Sequence, residues 1–154
     1  MARASKKNFI VETATGVFLK NGYKGTSIGM VVTACQVSKP TVYNHFPDKS
    51  VLMDAVLDKW MHNHPVPDIA VDDEISLWTF LAEHWWTAEV VAMYRMVIGE
   101  GWRFEVSAQR FWQQFDEQWR AAAKTAYAHI GVRALEGESL DAMISHRLWL
   151  SVRG

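Results

Sequence analysis

Ser38-Lys39-Pro40-Thr41-Val42-Tyr43-Asn44-His45-Phe46 is the stretch on which the fold turns. Ser38 offers a side-chain oxygen to the N–H groups of a helix start. Pro40 falls in the first turn, where a missing N–H costs nothing, so a short helix is predicted here. Val42 and Phe46 lie four residues apart, share one face, and are expected to dock that helix on a core. Lys39, Thr41, Tyr43, Asn44 and His45 then project outward. This set is rich in hydrogen-bonding groups and holds no acid, as a surface facing phosphates requires.

Upstream, Gln36-Val37 supplies a turn, and Thr26-Ser27 offers N-cap hydroxyls for a short helix carrying Ile28, Val31 and Val32. A first helix is predicted over Lys6–Asn21, with Ile10, Ala14, Val17 and Phe18 within an arc of about 100°. Gly22 stands where a left-handed C-terminal cap is wanted, and Tyr23 is placed to fold back on the apolar face. Three short helices, the last two joined by a tight turn, predict a helix-turn-helix over residues 27–46. The second member of such a motif fits a DNA major groove.

Downstream, Asp48 caps a fourth predicted helix carrying Leu52, Ala55, Val56 and Trp60. His62-Asn63-His64-Pro65-Val66-Pro67 reads as a linker, because two prolines so close cannot continue a helix. Asp72-Asp73-Glu74 opens a further helix with acids at its positive end, and Leu77, Leu81, Trp85 and Ala88 are spaced for one face of it. More helices are predicted at about 90–103, 107–130 and 139–152. The expected fold is all-α.

Charge is unevenly distributed. Residues 1–50 carry seven basic side chains, Arg3 among them, against Glu12 and Asp48, a net of +5; the remainder carries nine basic and fifteen acidic residues, a net of −6. A basic head on an acidic body suits a DNA-contacting module joined to one that does not touch DNA. The single cysteine, Cys35, excludes an internal disulfide framework and suits a reducing cytoplasm. No signal-peptide h-region and no membrane-length apolar run is seen, so a cytoplasmic protein is expected. Glycine-rich phosphate loops, paired CxxC motifs and nucleophile elbows are absent, and His62 with His64 makes a weak metal pair. No catalytic residue, metal or cofactor is expected.

Taken together, Phe18-Leu19-Lys20-Asn21-Gly22-Tyr23, Thr26-Ser27-Ile28, the run Val37 to Phe46, Asp48-Lys49 and Leu52 resemble the N-terminal signature of the TetR family of repressors. The register is unbroken over about residues 6–60. The resemblance implies a helix-turn-helix DNA-binding domain over 4–64 and a helical regulatory domain over 68–154. It also implies a homodimer on double-stranded operator DNA, released by a small hydrophobic or aromatic effector. Carried over, Ser38, Thr41, Tyr43 and His45 contact phosphates or base edges, Lys39 and Asn44 read bases, and Lys49 with Thr26 and Ser27 holds phosphates.

This chain departs from the family at Cys35-Gln36, where small residues, often Ala-Gly, are usual. Gln36 must take a turn conformation that glycine adopts at about 1 kcal/mol less. Cys35 reads as core, with a redox role as the alternative.

Six of the eight tryptophans fall between Trp78 and Trp119, with Tyr94, Phe104, Phe111 and Phe115 among them. Most read as core, since Trp78/Trp85 and Trp112/Trp119 are seven apart. An aromatic-walled pocket needs only a few of them. His84, Trp85, Tyr94, Glu100, Trp102, Arg103 and Trp112 are its candidate lining, and 93–100 resembles the family's sixth-helix region. The end of the chain, near Leu148 and Trp149, is expected to lack the last family helix and to leave both without a neighbour. The competing reading is a helical adaptor without ligand switching.

Overall fold

A computed structural model describes residues 5–131 and 139–154; the expected domain start at Ala4 and the basic Arg3 lie outside them. The described residues are helical and contain no strand. No helix among them is long and apolar enough to cross a membrane. The chain forms two compact units. The first runs to Pro65 and takes in Met96–Phe111, and the second comprises Val66–Arg95 and the chain from Trp112 onward.

The first unit opens with α1 (Lys6–Asn21), capped by the Ser5 side chain, which accepts from the Asn8 N–H. Its inward residues are Ile10, Val11, Ala14 and Phe18; the expected Val17 is only half-buried, and Val11 takes its place. The next helix, α2 (Ile28–Cys35), is capped by Ser27 and buries Ile28, Val31 and Cys35. Gln36 then turns the chain in the left-handed region, at φ 53° and ψ 30°. The short α3 (Lys39–His45) starts on Ser38, whose hydroxyl accepts from the Thr41 N–H, with Pro40 in its first turn. Val42 and Phe46 are fully buried, as their spacing predicts.

Asp48 caps α4 (Lys49–Asn63) by accepting from the Ser50 and Val51 N–H groups, and the bond from the Ser50 hydroxyl, followed by these backbone bonds, holds its carboxyl below the ordinary value. This helix buries a wider stripe than the sequence suggests: Leu52, Met53, Val56, Leu57 and Trp60, with Ala55 half-buried. Helix α7 (Glu105–Phe111) packs on α4. Arg110 pairs with Asp54 and Asp58, and the Ser107 hydroxyl donates to Asp54 Oδ1 at 2.9 Å.

In the second unit Asp73 caps α5 (Glu74–His84), which buries Leu77 and Leu81. That helix stops one turn early. The N–H groups of both Trp85 and Trp86 converge on the Leu81 carbonyl, so Ala88 begins the next helix and lies exposed instead of extending the stripe. Helix α6 (Ala88–Glu100) contributes its first part to this unit and its last residues to the other. It ends at Glu100, not 103, because Gly101–Arg103 tightens into a 3-10 turn.

The expected continuous helix over 107–130 is broken as well. A π turn at Trp112–Asp116 separates α7 from α8 (Glu117–Ile130), and Phe115 and Asp116 are buried on it. A one-residue widening of this kind is invisible to a search for the 3.6-residue period.

Buried Asp116 anchors a polar chain through this unit. The Trp85 indole N–H donates to Tyr94 Oη at 3.1 Å, and Tyr94 Oη donates to Asp116 Oδ1 at 2.7 Å. Arg120 Nε donates to Asp116 Oδ2 at 2.7 Å and its Nη1 reaches Ser145 Oγ at 3.0 Å. Burial first, then the Asp116 carboxylate, push the Tyr94 phenol up and keep it a donor. Rings of Trp78, Trp86, Trp85 and Trp119 stack in sequence, the last pair 5.3 Å apart and 7° from parallel. The final helix, α9 (Leu140–Arg153), buries Ile144 and Leu148. Leu148 therefore does have neighbours, whereas Trp149 and Leu150 are each 53% exposed. Arg95 donates to the Val152 and Ser151 carbonyls, a cation at a helix C-terminus.

Two outcomes follow. Gln36→Gly relieves the left-handed strain and is expected to raise unfolding stability by about 1 kcal/mol in urea titrations. Tyr94→Phe leaves an indole N–H and a buried carboxylate oxygen without their shared partner. It is expected to lower stability by about 1–3 kcal/mol, and unchanged stability would show that the polar chain is energetically neutral.

Candidate nucleic-acid interface

Helix α3 has only seven residues, too few to be stable alone, and its position is set by the caps and by burial of Val42 and Phe46. With that face inward, Lys39, Tyr43, Asn44 and His45 are exposed and Thr41 is half-buried. Lys39 Nζ lies 5.6 Å from the Tyr43 ring centroid, so the two side chains share one patch. Tyr43 is 38% exposed, with its ring outward. Ser38 Oγ and Thr41 Oγ1 lie 2.7 Å apart and are engaged with each other and the helix start, which limits what either can offer a ligand. The Asn44 side chain makes no hydrogen bond among the described residues, leaving both its donor and its acceptor exposed. The patch contains hydroxyls, an amide, an imidazole and an ammonium, and no acid sits on α3.

Two residues expected to hold phosphates are placed differently. Thr26 is 2% exposed, and its hydroxyl donates to the Gly22 carbonyl at 2.7 Å, so it closes the α1–α2 turn from inside. Lys49 Nζ donates to the Tyr23 carbonyl at 2.8 Å and the Thr26 carbonyl at 3.0 Å, and it stands 4.4 Å over the Tyr23 ring. Its charge is spent on the backbone of the head. Ser27 stays exposed as the α2 cap.

The turn itself was only partly foreseen. Gly22 has positive φ, 73°, but ψ is 173°, an extended form of the glycine-only region and not the left-handed cap. A Cβ there would come within 2.6 Å of Glu100 Oε1. Glu100 accepts from the Tyr23 N–H at 2.9 Å and the Lys24 N–H at 2.7 Å, a role that sequence reasoning missed because the partners are 76 and 77 residues apart.

The seven candidate pocket residues divide between the two units. Trp85 and Tyr94 are buried and bonded in the second unit, where Trp112 is half-buried and packs on Tyr94. Glu100, Trp102 and Arg103 belong to the first unit. There Trp102 is 70% exposed with the Arg103 guanidinium 4.1 Å over its ring. His84 is exposed and stacks on Phe80. Cys35 is buried as core. His64 packs on Trp60, and no cluster of three metal-ligating side chains occurs among the described residues.

Comparison with known proteins agrees with this reading of the head. Residues 10–56 match the model of bacterial regulatory proteins of the tetR family. Over 60 residues the chain is 37% identical to the HTH-type transcriptional repressor DhaR of Mycobacterium sp. strain GP1. That stretch is 39% of this chain and 30% of DhaR. Over 53 residues it is 36% identical to the HTH-type transcriptional regulator YuxN of Bacillus subtilis strain 168, covering 34% of this chain and 18% of that protein. The chain thus spans less than a third of the length of either relative.

Among solved structures, a putative TetR-family regulator from Mesorhizobium loti MAFF303099 superposes with a TM-score of 0.68 at 23% identity, covering 99% of this chain and 84% of its own. The flavonoid-responsive regulator FrrA superposes at 0.52 and 22% identity, over 96% of this chain and 91% of its own. These likenesses extend the fold across the second unit. The α3 patch and the capped helices around it fall within or beside residues 10–56, so the head of this chain is a helix-turn-helix domain similar to that of bacterial regulatory proteins of the tetR family.

Proposed function

We propose that the protein binds double-stranded operator DNA as a homodimer and acts as a repressor released by a small effector. The observation that carries this reading is the α3 patch: Val42 and Phe46 are buried beneath it, while Lys39, Tyr43, Asn44 and His45 stand exposed without a neighbouring acid on the helix. An asparagine amide pairs with adenine and a lysine donates to guanine in the major groove. Tyr43 suits a phosphate oxygen. Two heads reading successive grooves would require half-sites about 34 Å apart. The exposed Trp149 and Leu150 on α9 favour self-association over a monomer.

For the effector, support comes from a cavity of about 640 Å³ within the second unit, between residues 67–72 and α8. Pro67, Ile69, Val71 and Ala126 give it apolar walls, and Asp72 and His129 supply polar groups. Its volume falls in the range of small-molecule sites. A ligand with an apolar body and a hydrogen-bond donor or positive group fits that lining.

The test uses the duplex that the wild-type protein selects from a randomised pool, read by fluorescence anisotropy. Tyr43→Ala is expected to weaken binding about tenfold or more with helical content unchanged, since the ring is exposed. Asn44→Ala is expected to relax preference at one base position, worth about 1–3 kcal/mol. Wild-type affinity in Tyr43→Ala would remove α3 as the reading helix. Binding that does not fall as salt rises would remove DNA as the partner.

A further inference from the structure

Residues 22–26 join α1 to α2, and the direction in which α2 leaves fixes where α3 sits. A short turn exposes backbone donors and acceptors that no helix satisfies. Here they are taken by two charged side chains of opposite sign. On the donor side the Glu100 carboxylate spans two successive N–H groups, those of Tyr23 and Lys24, with one oxygen on each. On the acceptor side the Lys49 ammonium binds the carbonyls of Tyr23 and Thr26.

Tyr23 lies in the middle, its ring stacked on Phe18 at 5.9 Å, packed against Phe104 at 4.8 Å and covered by Lys49. Gly22 completes the fit, for only a residue without a Cβ admits the carboxylate so close. Glu100 is itself steadied by Arg103, whose Nε is 3.9 Å from Oε2.

We propose that Glu100 and Lys49 form a two-sided electrostatic clamp on the α1–α2 turn, and that Glu100 is a positioning residue for operator recognition. Glu100 touches no DNA in this scheme. It aligns the helix-turn-helix by fixing the amides of Tyr23 and Lys24, with Lys49 opposing it through the carbonyls. The inference rests on the DNA-binding reading for its functional part and on the backbone geometry for its structural part.

The experiment pairs Glu100→Gln with Lys49→Met in the full chain. Glutamine keeps the size of Glu100 but turns an amide NH₂ toward one of the two N–H groups, so one bond is lost to donor–donor conflict. Exchange of the Tyr23 and Lys24 amides with solvent, followed by NMR, is expected to quicken about tenfold in Glu100→Gln without loss of helicity.

Affinity for the duplex selected by the wild type is expected to fall about tenfold in both variants, while affinity for a mixed-sequence duplex of the same length stays unchanged. The slope of log affinity against log salt stays at the wild-type value. If Lys49 held a phosphate instead, Lys49→Met would lower that slope by about one.

Faster amide exchange with wild-type operator affinity would overturn the positioning role. Unchanged amide exchange would overturn the clamp. A parallel loss of selected and mixed-sequence affinity with falling helicity would reduce Glu100 to a general scaffold residue and overturn the proposal. Failure of the wild type to select any duplex would remove the DNA-binding reading and the positioning role with it, and the amide measurement would then decide the clamp alone.

Discussion

A tight turn between two helices must find partners for backbone groups that neither helix can satisfy, and the rest of the head depends on how that is done here. The turn at residues 22–26 uses Glu100 for its N–H groups, Lys49 for its carbonyls and the Thr26 hydroxyl for one more carbonyl. Charge-assisted bonds of this kind are roughly twice as strong as neutral ones and hold direction as well as distance. The same contacts explain why Gly22 adopts a conformation closed to other residues and why Tyr23 is buried beside the turn rather than exposed on it. With α2 fixed at its start, the strained Gln36 and the buried pair Val42 and Phe46 fix α3 at its end.

Much of this head was legible in the sequence because its signals are local. Ser27, Ser38 and Asp48 each cap the helix they were expected to cap, and Val42 and Phe46 are buried on the spacing that predicts it. Gln36 takes the turn conformation its place demanded. Thr26 and Lys49 were read as phosphate holders and proved to bind backbone. A hydroxyl near a helix start and a lysine after a capping acid serve either purpose equally well, and only the distance to a carbonyl decides. Glu100 was assigned to a pocket for a related reason. A lone acid at the end of an apolar helix carries no mark of the turn it serves 76 residues earlier.

In the second unit the helices were legible and their interruptions were not. The spacing of Leu77 and Leu81 gave α5, but its end at Trp85 depends on two N–H groups competing for one carbonyl. The π turn at Trp112–Asp116 holds a buried carboxylate within hydrogen-bond distance of Tyr94 Oη. Periodicity assumes 3.6 residues per turn and cannot report the one place where that number changes. The tryptophans from Trp78 to Trp119 were expected to be mostly core, but only Trp85 and Trp119 are buried; Trp78, Trp86 and Trp112 are half-buried and Trp102 is exposed.

The division of polar groups between interior and surface gives the head its character. The side chains of Glu100, Lys49 and Thr26 bind backbone groups of the first unit and those of Arg110 and Asp54 bind each other, so their charge and hydrogen-bonding capacity serve its geometry. On α3 the opposite holds. Asn44 keeps its amide unused, and Lys39 has only the face of an exposed tyrosine beside it. Burying an unpaired polar group costs a folded chain dearly, whereas leaving one in water costs little. The surface is therefore the only place where such groups can be held in reserve for another molecule. A helix of seven residues with one buried anchor and a second at its C-cap, four exposed polar side chains and no acid is a poor stabilising element, and its composition is better understood as set by what it meets.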